Sequence, residues 1–446
     1  MPETLFPLPE NKREPVSHGQ GKPRLCMANR HQVEMRLASL DELLPEDHRV
    51  RIVWAMVQEY DLSPLYERID AVEGEAGRPA IDPMLLVALW LNATLDGVGS
   101  ARALARLCES HLAYQWLLGG VSVNYHTLAD FRVQHEAVLD GILTRSVAAL
   151  MSEGLVELES TAQDGVRIRA GAGASSFRRR VTLETRLEQA EARVQELKAQ
   201  CEAGEGERVT PRQQAARERH AGEGVERVKQ ALREVEKIEA KKAKNRESKR
   251  KDRPARASTS DPEARVMKMA DGGFRPAYNG QLDVDMHSGI IVGVDLSNEA
   301  DQRLLEPMIE QTEKRYGRLP DEHYIDGGFR SNAGIEALEK KGVAVYAPIP
   351  VRYNKDSQKK PEQILPSDSP QVAAWKRRMT TEEAREKYKR RAAIVEWANA
   401  MLRNRGLYRF LVRGIRKARA VLLWFVLAHN LVQAFSLRQK LQLAGG

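Results

Sequence analysis

Leu183, Leu187, Ala190, Val194, Leu197 and Cys201 recur at alternating steps of four and three residues. That spacing holds one apolar stripe in line along a helix and requires a second helix to cover it, the a/d seam of a heptad pattern. Gly204, Gly206 and Pro211 interrupt the run, after which Val225, Val228, Leu232 and Val235 resume a similar stripe. The expectation is an antiparallel coiled-coil hairpin, its arms packed on each other or one arm pairing with a partner chain to build a dimer. The hairpin leads into a basic stretch, Lys241 to Arg256, where Lys249, Arg250 and Lys251 are adjacent and only Glu247 and Asp252 oppose the charge. Such a run is either a solvated linker or an arm that contacts backbone phosphates.

The regions on either side of this segment follow different periods. Residues 1–36 are polar and proline-rich, which predicts a disordered or loosely attached segment. Residues 37–153 read as helical throughout. Asp82 followed by Pro83 is an N-cap with proline at the first helical position, opening the apolar run from Met84 to Leu91. Gly97 and Gly99 end that helix, Ser100 caps the next, and Thr127 is the expected cap of a third. Short helices carrying Arg102, Arg106, His126 and Arg132 suit either a helix-turn-helix that reads a DNA groove or a packing and dimerisation domain. Beyond residue 260 the period becomes two: Leu282, Val284 and Met286 alternate with Asp283 and Asp285, and Gly289 turns the chain into Ile290 to Val294. A β-hairpin follows from this, then a helix near Ala300 to Tyr316, a strand His323 to Ile325, a helix Ala333 to Lys340, a strand Val343 to Ala347, and helices from Thr381 onward.

With 446 residues, the chain exceeds one small core. Its net charge of +8 and pI near 9.3 draw it toward polyanions, nucleic acid first. Cys26, Cys108 and Cys201 are too few and too scattered for a disulfide framework or a structural zinc site, which suits a reducing cytoplasm. The most apolar run, Val421 to Phe435, is shorter than the roughly 20 residues of a membrane span and contains His429, Asn430 and Gln433, so it reads as a buried helix.

Three carboxylates stand out against this frame. Asp164 follows an expected strand Leu155 to Thr161, Asp326 ends the strand His323 to Ile325, and Glu396 lies on a basic helix, with Arg403 seven residues later on the same face. Phosphodiester chemistry needs a strong nucleophile and charge relief on the attacking and leaving oxygens. Paired Mg²⁺ ions supply both and need only a few carboxylates to hold them. Asp283, Asp285 and Asp295 are acidic residues on expected strands that compete for the first position, and His287, His323 and His429 read as structural. The order of strand, hairpin, helix, strand, helix, strand and helix is that of an RNase H-like α/β core. The fold class expected is therefore a multidomain α+β chain: helical DNA-binding domain 37–153, first part of the core 154–176, hairpin insertion and basic linker 177–260, and remainder of the core with C-terminal helices 261–446.

At these residues the chain resembles the DDE transposases of bacterial insertion sequences, in the branch with a Y-x-x-R…E signature. The likeness runs from about Leu37 to the end. It rests on Ala162-Gln163-Asp164-Gly165, Asp261 to Lys268, Tyr278-Asn279-Gly280-Gln281, Tyr324 to Phe329, and Tyr388 through Arg413-Gly414 to His429-Asn430. The resemblance implies a catalytic and metal-binding triad of Asp164, Asp326 and Glu396 and dependence on Mg²⁺ or Mn²⁺. It implies double-stranded DNA as partner, cut at terminal inverted repeats and joined to a target, with a homodimer in the DNA complex and a place at the nucleoid. Tyr388, Arg391, Arg403 and Arg413 are the expected phosphate contacts, with Lys249, Arg250 and Lys251. The chain departs from the signature twice: four residues rather than three separate Arg391 from Glu396, and Arg403 stands where the signature has Lys. Two rival readings are a non-catalytic DNA-binding protein of transposase descent and a metal-dependent nuclease without strand transfer.

Overall fold

The computed structural model describes residues 37–72, 74, 79–202, 210–244, 254–353 and 359–445. The N-terminal segment 1–36 and the cluster Lys249, Arg250 and Lys251 lie outside the described residues.

A six-stranded sheet organises the chain. Its strands are β1 (Ser160–Arg169), β2 (Arg265–Lys268), β3 (Phe274–Asp285), β4 (Ile291–Ser297), β5 (Glu322–Tyr324) and β6 (Ala344–Tyr346). β3 pairs antiparallel with β1 along one side, and with β2 and then β4 along the other. β5 runs parallel to β1, and β6 parallel to β5. The alternation expected at Leu282, Val284 and Met286 is thus a long central strand, whose partner β4 is the apolar run that Gly289 admits at φ +70°.

Strand β1 corrects the expected position of Asp164. The strand begins at Ser160 rather than near Leu155, and it continues to Arg169, so Asp164 sits within it opposite Leu282. Asp-Gly usually signals a turn. Here Gly165 is required by packing: a Cβ at that position would lie 2.7 Å from Asp301 Oδ1 and 2.9 Å from Gln281 Nε2.

The N-terminal helices share one apolar core with β1, β3, β4 and the C-terminal helix Ile415–Gly445. Pro83–Leu95 is buried on nearly all sides, with Trp90 and Leu91 fully covered, and Asp82 caps it by accepting from Met84 N. Ser100 caps Ala101–Ser110 as expected. The third expected cap does not hold: Asn124, not Thr127, starts Tyr125–Gln134, its Oδ1 accepting from both His126 N and Thr127 N at 2.9 Å. Arg132, one of the cations that a helix-turn-helix would present to DNA, is buried over the Trp90 ring, so it belongs to the core.

The C-terminal helix is long and apolar enough to cross a membrane, yet most of that stretch is buried inside the protein. Arg419 reaches Glu136 at 2.6 Å, Asp140 at 2.8 Å and Asp295 at 3.2 Å, and Arg438 reaches Glu59 and Glu153 at 2.8 and 2.7 Å. All but the Asp295 pair bind it to the N-terminal helices. Asn430 bonds both the N–H and C=O of Ile291, and His429 lies 3.0 Å from Gly289 O, so the His-Asn pair ties the helix to β4 and the turn before it.

Two long helices, Arg180–Glu202 and Pro211–Lys244, lie antiparallel along each other between β1 and β2 in the chain. Leu183 packs fully buried near Val228, Ala231 and Val235, while Leu187, Ala190, Val194 and Leu197 are half-buried and their neighbours exposed. The heptad stripe is therefore the inward face of its arm, and Lys229–Glu191 at 3.0 Å links the arms across it. Thr210 and Gln213 exchange backbone caps, so Pro211 starts the second arm at the position where proline costs a helix nothing. A two-stranded ribbon, Phe177–Arg178 with Ala257–Ser258, closes the base.

Candidate functional site

Register brings the two aspartates together. Ala162 on β1 pairs with Tyr324 on β5 in parallel, and Asp164 and Asp326 each follow two residues later. Neighbouring strands stand about 4.8 Å apart and side chains repeat every second residue, so both carboxylates emerge on the same side where β5 ends. After Tyr324 the chain turns, and Asp326 Oδ1 accepts from Gly328 N at 2.8 Å and Phe329 N at 3.2 Å. Glycine at 328 leaves room for this: a Cβ would meet Asp326 Oδ1 at 3.0 Å and Asp301 Oδ2 at 3.7 Å.

The helix Glu382–Asn404 completes one wall, held to the sheet by Lys387–Glu322 at 2.7 Å and by Tyr388, whose hydroxyl donates to Ile325 O at 3.1 Å beside Asp326. Arg391 is buried and donates from Nη2 to Gln163 O at 3.0 Å and Asp164 Oδ1 at 3.2 Å. Asn399 donates to the other carboxylate oxygen, Oδ2, at 2.8 Å. Burial pushes the Asp164 carboxyl above the usual carboxylate range; the Arg391 charge opposes this, and the negative charge of Asp326 adds to it. Carboxylates that disfavour ionisation when close together favour a cation between them. Their hard oxygens fit Mg²⁺ or Mn²⁺.

Glu396 is placed differently. Arg391, Val395 and Asn399 succeed one another at steps of four on the face that meets Asp164, and Val395 is 1% exposed. Glu396 lies about 100° around the helix, exposed, and among the described residues its side chain makes no hydrogen bond or ion pair. The extra residue between Arg391 and Glu396 thus puts valine where the signature spacing would put the acid. Arg403 shares the edge of Glu396, half-buried and in no salt bridge among the described residues, and Arg413 lies beyond the end of the helix. No group of three or more His, Cys, Asp or Glu side chains is positioned to hold a metal ion among the described residues.

The competing acids are engaged elsewhere. Asp283 is fully buried 3.9 Å from His323, whose Nδ1 is 2.8 Å from Thr161 Oγ1. Asp285 accepts from Ser288 N–H and O–H at 2.7 and 2.6 Å, and Asp295 pairs with Arg419. Asp301, which sequence reasoning passed over, lies next to the site. It takes Arg167 Nη2 at 2.6 Å and Asn279 Nδ2 at 2.7 Å, and although burial works against its charged form, these bonds hold its carboxyl low. Asn399 was passed over too. The signal available was its spacing, eight residues after Arg391, which puts both on one stripe.

The motifs that carry the resemblance prove to be the supports of this arrangement. Asp261 accepts from Tyr278 O–H at 2.6 Å and Gly414 N at 3.1 Å, and Glu263 from Ile415 N at 3.0 Å, so the two acids secure the start of the C-terminal helix. Asn279 and Gln281 hold Asp301, and Gln281 also accepts from Gln163 at 2.8 Å.

Residues 38–134 match the family described as a transposase domain (DUF772), and residues 240–431 match the family described as a transposase DDE domain. Neither a curated protein nor a solved structure matches the chain.

Proposed function

Since the chain belongs to the DDE transposases of insertion elements, we propose that it binds the terminal inverted repeats of its element, cuts the DNA there and joins the ends to a target. The observation that supports this best is the matched emergence of Asp164 and Asp326 from parallel neighbours β1 and β5. The sheet order β4-β3-β1-β5-β6, with the first three strands antiparallel and the last three parallel, supports an RNase H-like core. The helical arms then read as a coiled-coil insertion between its first and second strands.

Asp164, Asp326 and Glu396 would hold Mg²⁺ or Mn²⁺, which when bound lowers the pKa of a water or 3′-hydroxyl and offsets charge on the departing oxygen. Asp326 is aimed by the two backbone N–H groups of its turn, and Asp164 by Arg391 and Asn399. Arg391 can exchange Asp164 for a backbone phosphate through the fork of its guanidinium. Arg403 and Arg413, which form no salt bridge among the described residues, hold phosphates further along the duplex, and Lys249, Arg250 and Lys251 add others. Two chains bring two DNA ends together.

The placement of Glu396 favours a second reading, a DNA-binding protein of the same descent without chemistry, because the face toward Asp164 carries Val395 instead of an acid. Incubation of the chain with Mg²⁺ and a duplex bearing the DNA that flanks its gene separates the two. Cleavage by the wild type, abolished in Asp164→Asn, supports the enzyme. Salt-sensitive binding with no cleavage in Mg²⁺ or Mn²⁺ supports the rival.

A further inference from the structure

Cations in this protein fall into two groups. Arg167, Arg265, Arg315, Arg378, Arg419 and Arg438 each form a salt bridge with a carboxylate. Arg169, Arg403, Arg409 and Arg413 form none among the described residues, and all four gather where the helix Glu382–Asn404 gives way to the C-terminal helix.

The ten residues between those helices form a fixed knuckle. Leu407 and Phe410 are 2% and 1% exposed, and Phe410 packs edge-on to Tyr278 with ring centroids 6.1 Å apart. Arg169 N donates to Tyr408 O at 3.1 Å, and Phe410 N donates to Arg169 O at 2.9 Å, so the knuckle is bonded to the end of β1. Gly171 accepts its close approach: a Cβ there would lie 2.8 Å from Val412 O. Gly406 and Gly414, at φ +95° and +84°, make the bends at either end. From this rigid base Tyr408 and Leu411 project to solvent, 60% and 64% exposed, with Arg409 between them and Arg413 beyond.

Exposed Tyr408 and Leu411 on a braced loop, with neighbouring arginines that form no salt bridge among the described residues, match duplex DNA: phosphates for the cations, a base step for the apolar tip. We infer that the knuckle is a wedge, with Tyr408 and Leu411 entering a base step of the bound duplex while Arg403, Arg409 and Arg413 hold the phosphates around it. For a duplex laid along β1, the place of the knuckle at the end of that strand sets the register. Arg169 lies five residues beyond Asp164, roughly 17 Å of strand, which corresponds to about five base pairs at ~3.4 Å each. The wedge therefore opens the helix about five base pairs from the cleavage point. This inference rests on the reading of the protein as one that acts on DNA ends, and goes beyond it in naming a deformation and its position.

The test uses the full chain and a duplex of roughly 30 base pairs, about three helical turns, taken from the DNA flanking the gene, with 2-aminopurine placed at one position at a time. Wild type should raise the fluorescence several-fold at one or two adjacent positions about five base pairs from the cut. Tyr408→Ala with Leu411→Ala, both on exposed residues, should lose that signal while the dependence of binding on salt stays the same. Arg403→Ala, Arg409→Ala and Arg413→Ala together should reduce the slope of log affinity against log salt by roughly 2.7, at ~0.9 per phosphate. An unchanged fluorescence signal in the Tyr408 and Leu411 variant overturns the wedge, as does an unchanged slope in the arginine variant. Sedimentation of the free chains covers the remaining occupant: if the Tyr408 and Leu411 variant loses a wild-type dimer, the surface holds a second copy and the inference fails. A wild type that shows the fluorescence signal but never cuts sinks the nuclease reading alone.

Discussion

Asp164 reaches the site from within β1 and Asp326 from the turn that follows β5, and the bonds that orient them are already made. Glu396 and Arg403, on the outer edge of the neighbouring helix, carry the opposite character: exposed or half-buried, and in no salt bridge among the described residues. A carboxylate fixed by backbone N–H groups or by Arg391 and Asn399 is positioned at folding, whereas a free side chain on a helix edge is positioned only by what it binds. The strand half of the site is thus preorganised, whereas no ion pair among the described residues fixes the helix half.

The largest effect tests that difference directly. Asp164→Asn or Asp326→Asn should lower single-turnover cleavage by at least about a thousandfold, ~4 kcal/mol of transition-state stabilisation, with duplex affinity little changed. Glu396→Gln should match them if the helix half closes on the metal. Cleavage by the Glu396 variant within about tenfold of wild type breaks the comparison, because the site would then be complete on the strands alone.

Asn399→Ala removes a bond to a charged group, which is worth about 1.5–3 kcal/mol. Cleavage should fall roughly ten- to a hundredfold, measured on protein whose far-ultraviolet circular dichroism matches wild type. A rate within about twofold of wild type shows that Arg391 alone orients Asp164.

Arg403→Ala, on the unordered edge, should leave the cleavage rate at saturating DNA within about fivefold and reduce the salt slope of binding by roughly 0.9. Fluorescence anisotropy against salt reads this. A collapse in rate at saturation would mean that the helix edge takes part in the chemistry as fully as the strands do.

The smallest effect lies beneath the strand half. Burial pushes Asp283 up to about 7 and His323 down to about 3. The stabilising contribution of Asp283 is therefore complete below its ordinary 3.8 and vanishes as pH rises through 7, while that of His323 is complete above its ordinary 6.5 and vanishes as pH falls toward 3. Between about pH 4 and 6.5 the two slopes oppose each other. Asp283→Asn leaves His323 unopposed, so unfolding free energy should drop on acidification across that window by up to about 1.4 kcal/mol per pH unit relative to wild type. Parallel curves for the two proteins would show that the buried pair does not titrate separately.

Local chemistry in the sequence was enough to reveal the elements whose signals do not depend on distant partners. The heptad stripe at Leu183 to Leu197 must face another helix wherever it lies, Asp82-Pro83 starts a helix through atoms two residues apart, and the alternation at Leu282 to Met286 is a strand on any sheet. The same holds for Asp326, which its own Gly-rich turn orients. Other features were decided only by tertiary contact. Asp164-Gly165 carries the signature of a turn, yet it lies within β1 because the strand pairs with β3 straight through it, and Asp301 and Gln281 leave no room for a side chain at Gly165. Arg132 reads as a surface cation, but Trp90 and Gly99 O bury it. Which residues of one helix meet Asp164 depends on the angle at which that helix lies on the sheet. The turn of about 100° between Val395 and Glu396 is small in sequence and decisive in space, because a hydrogen bond is lost over an ångström while a charge in the sequence has no direction until packing supplies one.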